Sequence, residues 1–399
     1  MVDYILQLMK VCLITYEFPP QIGGEAVYAS GLASALDDLG AEVTVITTSE
    51  KSIAISYEEN LKIIRLPKAR VLPKMYSFSL YANKILESNM TGKIDIIHNT
   101  SDYNEIITPR RKKIPVIATI HHPYAQERRI YKANSNNIDY LKYALHRKIN
   151  YLEFNSKILC KRADRLIAVS NYTARSVIEE YGIQPNKISV IPNAVDINTF
   201  NPDIDGTEFR KKLNIESEKV ILFVGRLDFQ KGIEYLISAF SKIIIDFPEL
   251  KLIVVGDGPL KNHVRAVISK YNLSESIFLL GRVDTKDLPK IYAACDLFVV
   301  PSLMEGFGIV YLEAMACGKA CIGTNIGGVE DVIADGRTGL LVPPADPTSI
   351  YLAIKSLLSD EDTLMRFGKE GRKRVLENFT WEKVAAQTLD VYKKALSDA

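Results

Sequence analysis

The chain has 399 residues, a formal net charge of +2, 47% hydrophobic residues and 25% charged residues. This composition is that of an ordinary folded protein, and it argues against wholesale disorder, a fibrous repeat or a disulfide scaffold. The length exceeds what one hydrophobic core usually serves, so it predicts two domains.

The N-terminal residues and the cysteines indicate where the protein works. No apolar run reaches the ~18 residues of a spanning helix, and the first residues lack the basic leader and apolar stretch of a signal peptide. We expect Met1 to Leu8 to be an extension that precedes the first strand. The five cysteines form no CxxC pair and lie mostly in apolar segments, which predicts reduced core thiols in a cytoplasmic protein.

Short β-branched runs alternate with helical segments along the whole chain, which predicts an α/β fold with parallel, doubly wound sheets. The first series of predicted strands is KVCLITY, EVTVITT, DIIHN, PVIATIH and RLIAVSN, with helices over Ala26 to Leu39 and Tyr172 to Tyr181. The second series is VILFVGRL, KLIVVGDG, SIFLLGRV, DLFVVPS and KACIGTN.

Asn and Pro cluster between Pro192 and Pro202, which indicates a linker. We therefore expect domains at 1–195 and 203–380, a linker at 196–202, and a final helical stretch at 381–399. In open α/β sheets, ligands bind beyond the carboxyl ends of the strands, so two facing domains would share a cleft lined by their loops.

Two strand ends of the first domain carry candidate ligand contacts. Gly23 and Gly24 precede a helix, where the absence of side chains would let backbone approach a diphosphate. His121 and His122 follow the strand PVIATIH. Adjacent histidines usually point apart, so we expect one of them, rather than a metal site, to face a reacting sugar.

The first domain is also locally basic. Between Glu105 and Arg165 there are 14 Lys or Arg residues against 5 Asp or Glu, a net charge of +9, which leaves −7 on the rest of the chain. In the segment RVLPKMYSFSLYANKIL, Lys74 and Lys84 interleave with aromatic residues. These features suit either a solvated face and a partly buried amphipathic helix, or attraction to an anionic membrane or a phosphate-bearing acceptor.

The strand VILFV is followed by Arg226 and, five residues later, by Lys231, just before a helix that begins near Gly232. A forked guanidinium and an ammonium beside a helix N-terminus can clamp a diphosphate. Taken alone, the pair would equally suit two solvated surface side chains.

The strand DLFVVPS ends in the loop LMEGFG, and a helix follows directly. Glu305 in this loop is placed to accept hydrogen bonds from sugar hydroxyls, and Glu313, in the second turn of the helix, to bind a ribose diol; alternatively, Glu313 is a cap or a salt-bridge residue. Between them, Gly306, Phe307 and Gly308 offer backbone amides that favour a phosphate.

Two further strand ends carry glycines. GVEDVI, preceded by Gly327, repeats the order of strand, glycine pair and helix start, and it could offer more amides to a phosphate. Gly256, in GDGP, begins a turn that suits either a ligand loop or a plain tight turn.

These segments together resemble the retaining nucleotide-sugar glycosyltransferases of family 4, which have the GT-B fold of two facing Rossmann-like domains with a central cleft. The resemblance covers nearly the whole chain, and the glutamate pair with seven residues between its members is its most specific feature. It implies that the helix at 381–399 crosses back onto the first domain. The matching segments are IGGEAVYASGLASAL, ATIHH, RADRLIAVSNYTARSV, VIPNAVDINTFNP, GRLDFQKGIEYLISAF, GDGP, PSLMEGFGIVYLEAMACGKACIGTNIGGVEDVI and GRTGLLVPPADP.

The resemblance also implies roles for individual residues. Arg226 and Lys231 would bind the donor diphosphate, Glu305 and His121 the transferred sugar, and Glu313 the ribose. Gly24 would line the phosphate side, and Arg282 and Val283 would lie near the base. The expected catalytic residues are His121, Glu305, Arg226 and Lys231, and the expected donor contacts also include Gly256 and the segment Gly306, Phe307 and Gly308.

The expected reaction moves a hexose from a nucleotide diphosphate sugar, with UDP or GDP, to an acceptor hydroxyl with retention, in the synthesis of a polysaccharide, glycolipid or related glycoconjugate. We expect no metal and no cofactor beyond the donor, since no carboxylate cluster suits Mg²⁺, and no nucleic-acid partner. Two alternatives stay open at this point, a sugar nucleotide epimerase of the same fold and a non-catalytic subunit that binds nucleotide sugars.

Overall fold

The computed structural model describes residues 9–21, 23–49, 53–58, 60–67, 74–88, 90–101, 114–122, 124–134 and 149–398. The chain divides into two compact units, Met1–Ala194 with Trp381–Ala399, and Val195–Thr380. The first boundary falls one residue before the expected one, and the expected linker at 196–202 belongs to the second unit. The N-terminal extension lies outside the described residues, as do 105–113, 123 and 135–148 of the basic stretch.

The first unit is built on an eight-stranded sheet with the order β3-β4-β2-β1-β5-β6-β7-β8. The strands are β1 Lys10–Ile14, β2 Glu42–Ser49, β3 Ala54–Glu58, β4 Leu61–Pro67, β5 Ile96–Asn99, β6 Val116–Ile120, β7 Arg165–Ala168 and β8 Ile188–Val190. The helices are α1 Gly24–Asp38, α2 Lys74–Glu87, α3 Tyr124–Asn134, α4 Ile149–Arg162 and α5 Asn171–Tyr181, with a 3₁₀ turn at Pro185–Lys187.

The central strands β1, β5 and β6 are buried on both faces of the sheet, as the strands of a parallel sheet covered by helices usually are. Along β1, Val11 and Leu13 face one hydrophobic core, and Cys12 and Ile14 face the other. The first core is closed by α1 and by the C-terminal helix α14 (Trp381–Asp398). Residues from α2, α3, α4 and α5 close the second.

One part of the first sheet differs from the parallel arrangement expected. The strands β3 and β4 were not predicted, and they pair antiparallel. Only two residues connect them, which permits a hairpin but not the crossover that parallel strands need. The exposed side chains of Ile55 and Tyr57 lie on β3, at the edge of the sheet.

The sequence left two interpretations of helix α2 open, a membrane-facing segment and a partly buried amphipathic helix. Phe78 and Ala82 are fully buried in the second core of the first unit, and Tyr81 packs against that core. The described side chains of this helix are divided between the interior and the surface, since Leu80 and Lys84 are exposed. The side chains at 74–77, together with residues 70–73, lie outside what the structure describes.

The second unit is built on a six-stranded, all-parallel sheet with the order β11-β10-β9-β12-β13-β14. The strands are β9 Val220–Val224, β10 Lys251–Val255, β11 Ile277–Gly281, β12 Leu297–Val299, β13 Ala320–Thr324 and β14 Gly339–Val342. The helices are α6 Thr207–Lys212, α7 Ile233–Asp246, α8 Lys261–Lys270, α9 Leu288–Ala294, α10 Ile309–Ala316, α11 Val329–Val332, α12 Pro347–Ser359 and α13 Glu361–Asn378, with 3₁₀ turns at Phe229–Lys231 and Thr285–Asp287.

The amphipathic pattern of α7 shows why it covers this sheet. Ile233, Leu236, Ile237 and Phe240 are fully buried, and their spacing of three or four residues places them on one face of the helix. All five residues of β9 are buried as well, and α7 begins directly after the loop that follows this strand.

Candidate active site

The candidate site of the second unit lies at the carboxyl ends of β9 and β12. These strands are neighbours in the sheet although three helices and two strands separate them along the chain. The strand order reverses between them, because β10 and β11 lie on one side of β9 and β12 to β14 on the other. Loops part at such a switch point and leave a crevice for a ligand.

The loop after β9 presents Arg226. Its side chain is 52% exposed, and its Nε donates to Asp228 Oδ2 at 2.6 Å. Asp228 is buried, and its Oδ1 has no hydrogen-bond partner in the described part of the chain. The aspartate therefore holds one edge of the guanidinium and leaves the fork of the other two nitrogens exposed.

The loops after β9 and β12 press directly against one another. Gly232 has φ +63°, and a Cβ at this position would lie 2.0 Å from the carbonyl oxygen of Pro301. The N–H of Leu303 donates to Gln230 O at 2.7 Å. Only glycine fits this approach, so Gly232 sets the distance between the two loops.

This approach brings Lys231 and Glu305 together in an ion pair between Nζ and Oε2. The two side chains are 20% and 14% exposed, and Ser302 Oγ also donates to Glu305 Oε2, at 3.3 Å. A cation and an anion from different loops thus share one half-buried position at the switch point.

Gly327 and Gly328 pack closely against the Glu305 loop. A Cβ on Gly327 would lie 2.1 Å from Glu305 O, and one on Gly328 would lie 2.1 Å from Gly306 O. The N–H of Gly328 donates to Glu305 O at 2.9 Å. The expectation of a phosphate site here is wrong for Gly328, because its amide is already bonded and α11 is a single turn of four residues.

The segment Gly306, Phe307 and Gly308 connects Glu305 to α10. Phe307 is buried, and its ring packs edge-on against Phe379 with the centroids 5.9 Å apart. Its side chain serves the core, so any donor contact from this segment has to come from the backbone. Gly308 has φ +97° and caps the N-terminus of α10.

Glu313 lies in the second turn of α10 and is 9% exposed. The hydroxyl of Tyr292 donates to its Oε2 at 2.7 Å. Burial raises the pKa of the Glu313 carboxyl to about 7, and the hydrogen bond from Tyr292 opposes that rise. Glu313 is therefore neither an exposed cap nor a salt-bridge residue; it is a buried carboxyl that titrates near neutral pH.

The next strand ends along the same edge belong to β10 and β11. Gly256 has φ +134°, a Cβ there would lie 1.9 Å from Gly225 O, and its N–H donates to Gly281 O at 2.8 Å. Strand packing thus accounts for this glycine. Beyond β11, Arg282 is exposed and Val283 is half-buried.

The residues singled out in the first unit are Gly24 and His121. Gly24 is exposed, begins α1, and has open space where a Cβ would lie. In the neighbouring Gly23, a Cβ would instead meet the Glu17 carboxylate at 2.3 Å. A contact with Glu17 therefore accounts for a small residue at Gly23, whereas no contact within the described residues does so at Gly24.

His121 follows β6, and its Nε2 lies 3.2 Å from Thr100 O. Burial lowers the pKa of His121 to about 4, so the imidazole is neutral at pH 7, with the Nε2 proton assigned to the Thr100 carbonyl. His122 is turned to Glu127, with 2.8 Å between Nε2 and Oε2. The two histidines thus have different partners, as the sequence suggested.

A buried chain of side chains supports His121. The ring of Tyr28 packs edge-on against the His121 ring, and its hydroxyl lies 3.1 Å from Thr119 Oγ1. Thr119 Oγ1 in turn lies 2.8 Å from His98 Nε2, and His98 Nδ1 lies 2.6 Å from the hydroxyl of Tyr392 in α14. The C-terminal helix therefore contributes to the packing behind His121.

Sequence reasoning missed Asp228, Tyr292 and the network around His98. Asp228 could have been found, because it stands two residues from Arg226. Tyr292 carried no such signal, since a tyrosine on an apolar helix face is ordinarily a core residue. Within the described residues, no group of three or more His, Cys, Asp or Glu could hold a metal, all five cysteines are buried and outside disulfides, and no helix is long and apolar enough to cross a bilayer.

Comparison with known proteins connects both units to one family. The model for "Glycosyltransferase Family 4" matches residues 22–199, and that for "Glycosyl transferases group 1" matches residues 205–374. An uncharacterised glycosyltransferase of Methanocaldococcus jannaschii is 30% identical over 97% of this chain and 99% of its own length.

Two solved structures share the fold. Sucrose-phosphate synthase of Thermosynechococcus elongatus superposes with a TM-score of 0.82 at 24% identity, covering 98% of this chain and 100% of that one. HepE of Anabaena, solved in complex with UDP-glucose, has a TM-score of 0.75 at 20% identity, covering 98% and 100%. The chain therefore belongs to glycosyltransferase family 4, has the GT-B fold of two Rossmann-like domains, and is an enzyme that transfers a sugar from a nucleotide-sugar donor.

Proposed function

We propose that this enzyme transfers a hexose from UDP- or GDP-sugar to an acceptor hydroxyl with retention of the anomeric configuration. The observation that carries the proposal is the Lys231–Glu305 pair at the switch point between β9 and β12. In this arrangement a cation for the leaving group and a carboxylate for the sugar hydroxyls lie side by side, as the junction between phosphate and sugar requires.

Arg226 and Lys231 bind the donor diphosphate. The fork of Arg226 stays exposed because Asp228 holds only its Nε, and this leaves a planar pair of donors for phosphate oxygens. Lys231 stands at the N-terminus of the 14-residue helix α7, where the helix dipole favours negative charge. Both cations would stabilise the diphosphate as it departs.

Glu305 accepts hydrogen bonds from hydroxyls of the transferred sugar, and Glu313 binds the ribose. The backbone amides from Gly306 to Gly308 face the phosphates, whereas Gly256, Arg282 and Val283 line the base side. The resemblance implies that, from the first unit, Gly24 lines the phosphate side and the neutral His121 imidazole contacts a hydroxyl of the sugar. These assignments rest on the resemblance together with the positions of the strand ends.

Retention follows from attack on the same face that the leaving group departs from. The bond between the anomeric carbon and the phosphate oxygen breaks, the acceptor oxygen bonds to that carbon, and the acceptor proton passes to the departing phosphate. The positive charges of Arg226 and Lys231 lower the cost of this separation. UDP-glucose in the HepE structure supports UDP-sugars as the first donors to test.

The first experiment identifies the donor. A thermal-shift screen with UDP, GDP and ADP, and with their sugars, would reveal it, because a ligand at 100 times its Kd adds about 2.7 kcal/mol to the free energy of unfolding. Stabilisation by none of them contradicts the proposal.

The second experiment tests the site. Lys231→Ala and Glu305→Ala should each lower donor turnover with acceptor present by roughly 30- to 1,000-fold, since a lost charge contact to a transition state costs about 2 to 4 kcal/mol. Lys242→Ala, on the exposed face of α7, is the matched control and should keep full turnover. Near-normal rates in both site variants, with folding intact, would refute the assignment.

A further inference from the structure

Tyr292 and Glu313 come from different helices and meet in the interior of the second unit. Tyr292 lies on α9 and is fully buried, and Glu313 lies on α10. The phenol hydroxyl donates to Oε2 at 2.7 Å and lies 3.4 Å from Val310 O. A buried phenol that donates to a buried carboxyl is an uncommon use of a core tyrosine, because each group costs free energy to remove from water.

The ring of Tyr292 has little freedom to move. It packs edge-on against Phe200 with centroids 5.7 Å apart, and it contacts Phe298 at 5.5 Å in a tilted arrangement. Two aromatic neighbours fix the ring, and the ring fixes the hydroxyl. The hydroxyl therefore holds Glu313 Oε2 in one place.

The hydrogen bond engages one carboxyl oxygen only. Within the described residues, Glu313 Oε1 makes no hydrogen bond, and the Glu313 residue is 9% exposed. One oxygen is thus fixed to the protein while the other stays available as an acceptor. This division suits a carboxylate that receives hydroxyl protons from a ligand.

We propose that Tyr292 is a positioning residue that holds Glu313 so that its Oε1 accepts a hydrogen bond from the ribose of the donor nucleotide. The inference rests on the proposed function, because it takes the ligand of Glu313 to be that ribose. It adds a residue outside the strand-end loops to the machinery of donor binding.

The charge state of Glu313 predicts how nucleotide affinity depends on pH. Burial raises the pKa of Glu313 to about 7, and the bond from Tyr292 lowers it, so the tyrosine keeps more of the carboxyl ionised at neutral pH. An ionised carboxylate accepts hydrogen bonds about twice as strongly as a neutral group. Nucleotide affinity should therefore rise as the pH rises through about 7.

Other groups around the pair do not titrate in this range. Burial raises the pKa of Cys317 to about 12 and that of Cys321 well above its usual value, so both thiols stay neutral. The guanidinium of Arg372 donates to Ala316 O at the end of α10 and stays charged. The surrounding titratable or charged side chains are Cys295 after α9, Cys317 and Lys319 after α10, Cys321 on β13 and Arg372 on α13.

The test measures the Kd of UDP-glucose, or of the GDP or ADP sugar that the wild type prefers, by calorimetry between pH 5.5 and pH 8.5. A nucleotide sugar is used because the terminal phosphate of a free nucleoside diphosphate itself titrates at about pH 6. Tyr292→Phe should bind about tenfold more weakly at neutral pH, the equivalent of one lost hydrogen bond to a charged group. The midpoint of its pH dependence should move to higher pH. A loss of affinity without a moved midpoint would show a merely structural role and would overturn the inference.

Two further variants complete the design. Tyr311→Phe removes another buried hydroxyl, one bonded to Val300 O, and should leave the midpoint unchanged. Glu313→Gln should abolish the pH dependence, and its persistence would overturn the inference even if Tyr292→Phe failed to fold. A wild type that binds none of the three nucleotide sugars refutes the proposed function instead.

Discussion

Replacing Glu313 by glutamine should make the second unit more stable while it weakens nucleotide binding. Glutamine has nearly the same shape, and its amide oxygen can still accept the hydrogen bond from Tyr292. The change removes the need to bury a negative charge at neutral pH, and that need is the reason for the raised pKa of Glu313.

The magnitude follows from the pKa. An ordinary glutamate has a pKa of 4.5, whereas that of Glu313 is about 7. At about 1.4 kcal/mol per unit, this difference lowers the free energy of unfolding by about 3 kcal/mol when the carboxyl is ionised in both states. Below pH 4.5 both states are protonated and the cost is absent; it grows as the pH rises from about 4.5 to about 7, and it is complete above that.

The assay is thermal and urea unfolding of the wild type and Glu313→Gln between pH 5 and pH 8.5. Trp381 is the single tryptophan and belongs to the first unit, so its fluorescence follows that unit, and far-UV circular dichroism supplies the second transition. At pH 8 the second transition should rise by roughly 6 to 12 °C. Glu249→Gln, an exposed carboxyl in the same unit, is the matched control.

Two outcomes would refute this reasoning. One is a glutamine variant that is no more stable than the wild type at pH 8. The other is a gain that stays the same at pH 5, since a stabilisation independent of pH cannot come from a carboxyl that titrates. A gain in stability together with lost binding is the expected compromise between a functional charge and the fold that holds it.

Two further changes test the packing behind the site. Gly256→Ala should lower the free energy of unfolding of the second unit by about 2 kcal/mol or more, because its φ of +134° disfavours a side chain and a Cβ would meet Gly225 O at 1.9 Å; an unchanged circular-dichroism transition would contradict this. Tyr392→Phe leaves His98 Nδ1 buried without its partner, so it should cost about 1 to 3 kcal/mol in the first unit alone, seen as an earlier Trp381 fluorescence transition and contradicted by a shift confined to the second unit.

Much of the architecture could be predicted because parallel strands buried on both faces have continuous apolar sequences. The runs around β1 and β9 are examples, and both lie at the centre of their sheets. The hairpin of β3 and β4 was missed because the side chains of β3 are mostly exposed and carry little hydrophobic signal. Edge strands are held mainly by backbone hydrogen bonds, which leave no trace in composition.

In the candidate site too, some residues could be found from the sequence and others could not. Arg226, Lys231 and Glu305 could be proposed because each lies in a loop that follows a strand, and strand ends meet at one edge of a parallel sheet. The bond between Tyr292 and Glu313 could not, because it depends on how two helices pack and not on the sequence near either residue. The prediction for Gly328 was wrong for a related reason, since the residues it contacts belong to a loop some twenty residues earlier.

The C-terminal helix α14 has a consequence for how the chain is made. Its buried residues, among them Val384, Leu389 and Tyr392, complete the core of the first unit, yet they emerge from the ribosome only after the whole second unit. Domains fold as units once their residues are available. The second unit can therefore finish folding first, while the unit that begins the chain waits with its α1 surface uncovered. The core of the first unit therefore depends on some of the last residues of this chain to be synthesised.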